Sequence, residues 1–178
     1  MPQIGKSAPA ETSVAQLPSP NWDNSFLVGC KRTLDVGISA LLLALLSPLF
    51  LVLAATVKLT SRGTVFYRWQ VVGQRGLPFT GFKFRSMYSN ADELKAQLER
   101  LNEMSGPVFK LTNDPRVTKV GAWMRRYSLD ELPQLYSVLK GDMSLVGPRP
   151  LLMEYLAHYS PQQARRHEMR PGVTGWAQ

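Results

Sequence analysis

The sequence predicts an α+β protein: mainly helical, with one short β-hairpin, preceded by a long apolar helical segment broken at a Ser-Pro step. Three observations carry this. Residues 36–57 (VGISALLLALLSPLFLVLAATV) hold no charge and have Ser47-Pro48 at their centre. Two β-prone stretches, residues 64–72 and 79–84, flank a Gly- and Pro-containing turn at 73–78. Beyond them, residues 90–103, 117–126 and 129–140 show helical spacing between Gly and Pro breaks.

Composition bounds the function. A chain of 178 residues holds one domain plus appendages, and 44% hydrophobic residues supply a packed core. The 21 Lys+Arg exceed the 13 Asp+Glu, giving a formal net charge of +8. Such a surplus attracts anions: nucleic acid, nucleotide phosphates or an acidic membrane face. The single cysteine, Cys30, has no internal disulfide partner, which fits a reducing compartment. Residues 1–24 are rich in Pro, Ala, Ser and Gln and read as a disordered tail. They contain no apolar core of a secretory signal. A membrane-associated part is expected at 25–62 and a second domain at 63–178.

As one straight helix, residues 36–57 would span ~33 Å, enough to cross a bilayer. Pro48 removes a backbone donor and clashes with the preceding turn, so a kink is expected there. Ser47 is placed to satisfy the freed carbonyl. Both flanks are basic, with Lys31 and Arg32 before the run and Lys58 and Arg62 after it. That pattern is best met with both ends on one side of the membrane. On charge and proline alone, a kinked spanning helix and a re-entrant hairpin both stand, with a buried core helix as the third reading. Lys31 and Arg32 are expected to meet lipid headgroups, and Asp35 to cap the segment or pair with one of them.

The hairpin is expected to carry Arg68 and Arg75 near its ends. Asn90 is the N-cap expected for the helix at 90–103, whose apolar face holds Leu94, Leu98 and Leu101. Gly106-Pro107 ends it; residues 108–111 read as extended and Asn113-Asp114-Pro115 as a turn. Residues 117–126 form an amphipathic helix with Trp123 and Met124 beside Arg125 and Arg126. Residues 129–140 read as one helix ending at Gly141, with Pro133 in its first turn and Leu132, Leu135, Tyr136 and Leu139 as its apolar stripe. Gly147-Pro148-Arg149-Pro150 is rigid, residues 151–158 and 161–169 are helical candidates, and Pro171-Gly172 is a turn.

The chemistry concentrates in 127–150 (YSLDELPQLYSVLKGDMSLVGPRP). Asp130-Glu131 follows Arg125 and Arg126, and Arg149 stands between two prolines. The structural reading is a capping box from Ser128 to Glu131. The functional reading is a phosphate site: a helix N-terminus and arginines bind phosphate, and a hard cation such as Mg²⁺ relieves the repulsion from the acids. An ionised carboxylate also attacks phosphorus to form an acyl phosphate. Arg149 suits a phosphate or an internal carboxylate such as Asp142 or Glu154. Lys83 and Arg85 alternate with aromatics on a strand. His158 and His167 read as solvated, because no Cys/His cluster accompanies them. No Walker motif, GxGxxG or Ser/His/Asp signature is present.

In order, KRTLDVGISALLLALLSP, KFRSM, NDPRVTKVGAWMRRYSLDELPQL, LKGDMSLVGPRP and RPGVTGWAQ resemble the monotopic phosphoglycosyl transferases, or bacterial sugar transferases. The resemblance runs from Lys31 to Gln178. It implies a small, mainly helical α+β catalytic domain anchored by a re-entrant membrane helix broken at Ser47-Pro48, on the cytoplasmic face of a bacterial inner membrane. It implies transfer of a sugar-1-phosphate from a UDP-sugar to undecaprenyl phosphate with release of UMP, the first membrane step of exopolysaccharide, O-antigen or other glycan assembly. Asp130 would be the nucleophile of a covalent phosphosugar intermediate. Glu131 would help it hold Mg²⁺, and Arg125, Arg149, Lys83 and Arg85 would bind phosphate. An aspartate of ordinary pKa, ~3.9, is ionised at neutral pH and needs no base. Family members continue past the TGWAQ-like motif with a further arginine-containing motif, whereas this sequence ends at Gln178. No extra N-terminal membrane helices precede the match, which implies the minimal catalytic form. The sugar and a homo-oligomeric state stay open. Two rivals are a non-catalytic membrane adaptor that binds nucleotide sugar or a partner enzyme, and a basic nucleic-acid binder. The latter lacks a stacking surface or basic recognition helix, so no nucleic-acid partner is expected.

Overall fold

A computed structural model describes residues 25–103, 109 and 111–175. The tail at 1–24, the Gly106-Pro107 break, residues 108 and 110 of the expected extended stretch and the closing 176–178 lie outside them. The described chain is a mixture of helix and sheet, with two small two-stranded sheets.

The apolar segment folds as α1 (Ser25–Leu45) and α2 (Ser47–Thr60), bent by 63°. The break falls at the expected step and for the expected reason. Pro48 has no N–H for the Ala44 carbonyl, and Ser47 Oγ donates to that oxygen instead, at 2.8 Å. Among the described residues no single helix is long and apolar enough to cross a membrane; the bent pair has the length and composition only together. Much of its outer surface is apolar and exposed, including Leu27, Leu34, Leu41 and Leu45 on α1 and Leu51 and Leu59 on α2. The opposite side of α2 enters a core in which Leu53 and Val57 pack with Phe84 and Met124.

Lys31 and Arg32 both have partners within the protein, although Lys31 stays exposed. The forked guanidinium of Arg32 donates to the carbonyls of Val138 at 2.6 Å and Leu139 at 2.9 Å. These belong to the last turn of α5 (Gln134–Lys140), where the Gly141 N–H reaches the Val138 carbonyl at 3.1 Å and Arg32 adds a donor to each. Lys31 pairs with Asp35 at 3.2 Å and also donates to the Ser144 hydroxyl. Asp35 is buried and accepts from Ser144 Oγ at 2.8 Å and from the Leu145 N–H at 3.1 Å. Asp35→Ala leaves the Leu145 N–H without its acceptor and Lys31 without its carboxylate, while the Ser144 hydroxyl keeps the Val146 carbonyl at 3.0 Å; a loss of about 2–3 kcal/mol is expected, or roughly 5–10 °C in Tm. Thermal melts in detergent check this; Asp35→Asn, which keeps an acceptor, is expected to lose less.

β1 (Phe66–Val72) and β2 (Pro78–Phe84) form the expected antiparallel hairpin, in register from Phe66↔Phe84 to Val72↔Pro78. Arg75 lies in its turn, and Arg68 opposes Phe82 within the ladder. Val71 and Phe79 pack with Val138 and Met143 in a second core. α3 (Ala91–Leu98) is shorter than expected; the chain tightens to a 3₁₀ turn at Glu99–Leu101, which leaves Leu101 exposed. α4 (Lys119–Arg126) starts at Thr118, whose Oγ1 accepts from the Gly121 N–H at 2.8 Å. Gly121 is where α4 meets the segment after β2: a Cβ there would lie 1.9 Å from the Ser86 carbonyl oxygen. That contact brings Arg125 Nε within 2.8 Å of Ser86 Oγ.

Residues 129–140 are not one helix. A 3₁₀ turn, Leu129–Glu131, precedes α5, and Pro133 is the cap of α5 rather than part of its first turn. The capping box does not form, because Ser128 is left-handed at φ 55° and its side chain caps nothing. The register therefore shifts: α5 buries Gln134, Leu135, Ser137 and Val138, while Tyr136 is exposed. A second sheet was not expected. β3 (Ser144–Val146) and β4 (Gly172–Thr174) pair in parallel, so Gly172 opens a strand rather than completing a turn.

The C-terminal stretch is helical in short pieces: a 3₁₀ segment at Met153–His158, then α6 (Pro161–Ala164), then 3₁₀ at Arg165–Glu168. His158 is exposed as expected, but His167 is buried with its ring stacked on Tyr159 at 5.5 Å. Burial, helped by the neighbouring Arg166 charge, lowers His167 to about 4 from its ordinary 6.5. Its folded pKa lies below its unfolded one, so stability is full above pH 6.5 and falls as pH drops toward 4. The expected loss is about 3 kcal/mol. Denaturant titrations across that range check it; His167→Phe, which keeps the stacking, is expected to flatten the slope.

Candidate active site

The hairpin, α4, the Leu129–Glu131 turn and the end of α1 enclose a cleft of about 920 Å³, within the range of ligand pockets. Strand alternation explains one wall. Trp69 opposes Gly81 and Tyr67 opposes Lys83, so these residues share one face of the hairpin; Tyr67, Trp69 and Lys83 line the cleft. Arg125 enters from α4 and Arg149 from the loop between its two prolines. Leu42 and Leu46 close the apolar end, where α1 gives way to α2.

Asp130 and Glu131 both line this space and differ in environment. Glu131 accepts from Lys83 Nζ at 2.5 Å, and that ammonium lies 4.8 Å from the centre of the Trp69 ring. Asp130 is 7% exposed and makes no ion pair or hydrogen bond with another side chain among the described residues. Burial pushes its carboxyl above the usual carboxylate range; Lys83 pulls it down, Glu131 adds to the rise, and Arg125 opposes it. The ordinary aspartate expected from the sequence is thus corrected in direction: burial disfavours its charge, and two cations within the cleft favour it. Between Arg125 and Asp130, which line the same space, the chain reverses through the left-handed Ser128 at the cleft wall.

Four of the predicted residues, Asp130, Glu131, Arg125 and Lys83, come together, and Arg149 joins them without any ion pair among the described residues. Neither Asp142 nor Glu154 claims Arg149; Asp142 pairs with Lys140 at 3.0 Å. Arg85 does not reach the cleft. It is buried and donates through Nη2 to the Ser61 carbonyl at 2.7 Å and the Ser61 hydroxyl at 2.9 Å, fastening the end of α2. The sequence reading missed Trp69, Tyr67 and Leu42, although alternation within the hairpin would have placed the first two beside Lys83.

Two adjacent carboxylates suit a hard divalent ion that keeps most of its shell as water and substrate phosphate. No cluster of three or more His, Cys, Asp or Glu is found among the described residues. The donor set therefore fits an ion shared with a ligand, not one caged by protein alone.

A model of the family described as bacterial sugar transferase matches residues 26–178. The chain is 46% identical over 148 residues to the uncharacterized sugar transferase EpsL of Bacillus subtilis, covering 83% of this chain and 67% of that protein. It is 44% identical over 149 residues to the exopolysaccharide production protein ExoY of Rhizobium meliloti, covering 82% and 66%. It is 43% identical over 152 residues to the UDP-glucose:undecaprenyl-phosphate glucose-1-phosphate transferase of Escherichia coli K12, covering 83% of this chain and 30% of that enzyme. The chain thus spans about two thirds of the shorter relatives and under a third of the longer one. A match that takes in the bent helix pair, the hairpin and the acidic dyad places this chain in the bacterial sugar transferase family.

Proposed function

We propose that the chain is a transferase that moves a sugar-1-phosphate from a UDP-sugar to undecaprenyl phosphate and releases UMP. The observation that carries this is Asp130: a buried carboxylate without a side-chain partner, facing a cleft lined by Lys83, Arg125 and Arg149 and closed by Leu42 and Leu46. An Asp130 oxygen attacks the sugar-bearing phosphorus, and the bond to the bridging oxygen breaks, so UMP leaves with that electron pair. A phosphate oxygen of the acceptor then attacks the same phosphorus. The aspartyl–phosphorus bond breaks, yielding a lipid diphosphate sugar and free Asp130. Arg125 and Arg149 hold the transferring phosphates and balance charge that grows on their oxygens. Lys83 keeps Glu131 neutralised and favours the ionised form of Asp130. Mg²⁺, held by Asp130 and Glu131 together with substrate phosphate, would add charge neutralisation.

The same reading places α1 and α2 in the inner membrane from its cytoplasmic side, entering and leaving by one face. Their exposed apolar surface and the bend support it. Leu42 and Leu46 then border both lipid and cleft, where a polyprenyl phosphate can present its head. The relatives' names support the donor and acceptor classes.

The test is UMP release from a panel of UDP-sugars with undecaprenyl phosphate and Mg²⁺, together with mass spectrometry of protein exposed to donor alone. A phosphosugar adduct on Asp130 is expected. Binding of nucleotide sugar with neither adduct nor UMP would favour the adaptor reading instead.

A further inference from the structure

Resting on that reading, we propose that Trp69 is a positioning residue: its indole face holds the Lys83 ammonium against Glu131 and beside Asp130. Trp69 and Lys83 are diagonal neighbours on one face of the hairpin, because Trp69 opposes Gly81, two residues from Lys83. The Lys83 Nζ lies 4.8 Å from the ring centre, within the distance at which a ring face attracts a cation. The same ammonium contacts Glu131 Oε1 at 2.5 Å. The lysine is thus held from two sides, by a carboxylate and by a π face.

The indole lies where it does because Gly81 leaves room. A Cβ at Gly81 would stand 2.6 Å from Trp69 Nε1 and 2.9 Å from Val71 Cγ2. Nε1 is buried and has no hydrogen-bond partner, so the ring is not held there by its polar edge. Its place is set by packing over Gly81 and against the second core, and the ammonium lies on its face. A lysine stem has four rotatable bonds, and a strand residue at a cleft wall can swing it toward solvent. The ring removes that freedom.

The groups facing Asp130 are Lys83 from β2, Glu131 beside it and Arg125 from α4, with Tyr67, Tyr127 and Arg149 lining the same cleft. Of these, Lys83 is the one that Trp69 touches. Displacing the ring should therefore free the Lys83 ammonium from its place against Glu131 without altering either acid.

The experiment has two arms. In ¹³C-lysine-labelled protein in detergent, the Lys83 ε-CH₂ signal, identified by its loss in Lys83→Arg, should be shifted upfield by the ring. It should return to the common lysine position in Trp69→Leu and stay shifted in Trp69→Phe. In turnover assays, kcat should fall by about tenfold in Trp69→Leu with little change in the KM for the donor, and Trp69→Phe should recover most of it. Should Trp69→Leu fail to fold, Gly81→Ala displaces the same ring and should give the same two results. An unshifted Lys83 signal in the parent protein, or an unchanged kcat in the displaced variants, overturns the proposal. A parent protein that never turns over would reject the transferase reading, and the lysine signal alone would then decide whether Trp69 holds Lys83.

Discussion

Asp130→Asn is expected to abolish transfer, by about 10³-fold or more, and at the same time to make the protein more stable at neutral pH. Both effects come from one property. The carboxyl is buried, and burial raises its pKa above the ordinary value, with Glu131 adding to the rise and Lys83 and Arg125 opposing it. A group whose folded pKa is raised binds its proton more tightly in the folded state. Stability therefore rises as pH falls through that folded pKa and is lost above it. Ionised Asp130 is thus a burden on the fold at pH 7, and an isosteric amide removes it. A gain of about 1 kcal/mol corresponds to roughly 2–4 °C at this chain length. Melts at pH 7.5 should favour the variant, and the gap should close in acid, where the parent carboxyl is protonated. Activity should fall with acid at a pH above the usual carboxylate range. An Asp130→Asn protein that turns over normally would end the assignment of the nucleophile.

On the proposed reading, Pro48→Ala is expected to cost the protein its re-entrant arrangement at the membrane. An alanine N–H would again reach the Ala44 carbonyl, which Ser47 Oγ now serves, and the proline clash, ~3 kcal/mol, would go. Against straightening stand Leu53 and Val57, worth about 1.5–3 kcal/mol each when buried. In water these terms nearly cancel. In lipid they do not, because leucine and valine lose little on leaving a core for hydrocarbon. The bent pair is thus expected to straighten in a bilayer into one helix of ~54 Å. Two reporters check it: Cys30, which is exposed on α1, and a cysteine introduced at Thr64. In the parent both should react with a reagent from one face; in Pro48→Ala they should react from opposite faces, with turnover down by at least tenfold. Labelling from one face in both proteins would show that the bend does not depend on the proline.

These two sites were the parts most legible in the sequence, for the same reason: each is written locally. A proline inside an apolar run dictates a break whatever surrounds it, and an Asp-Glu pair close to Arg125 and Arg126 concentrates charge whatever the fold. The hairpin was legible too, from β-prone runs around a turn. What escaped depended on distant partners. Arg85 reads as a site cation beside Lys83, yet Ser61, 24 positions earlier, claims its guanidinium. His167 reads as solvated until Tyr159 covers it. β3 and β4 have three residues each and pair across more than 20 positions of sequence, too little local pattern to announce a sheet. The capping box at Ser128 failed because a left-handed turn aims Asp130 into the cleft, and local preference yielded to the site.

The grip of Arg32 on α5 and of Asp35 on β3 has a further meaning. On the proposed reading, the segment lying in lipid is bolted to the part that does chemistry, with no slack tether between them. The altitude of the reacting aspartate over the bilayer is then a constant of the molecule. A water-soluble donor can adjust to that altitude, but a lipid must arrive with its phosphate already at the right depth. Selection among lipids would accordingly act on the headgroup and the first isoprene units, and a longer or shorter tail should pass unnoticed.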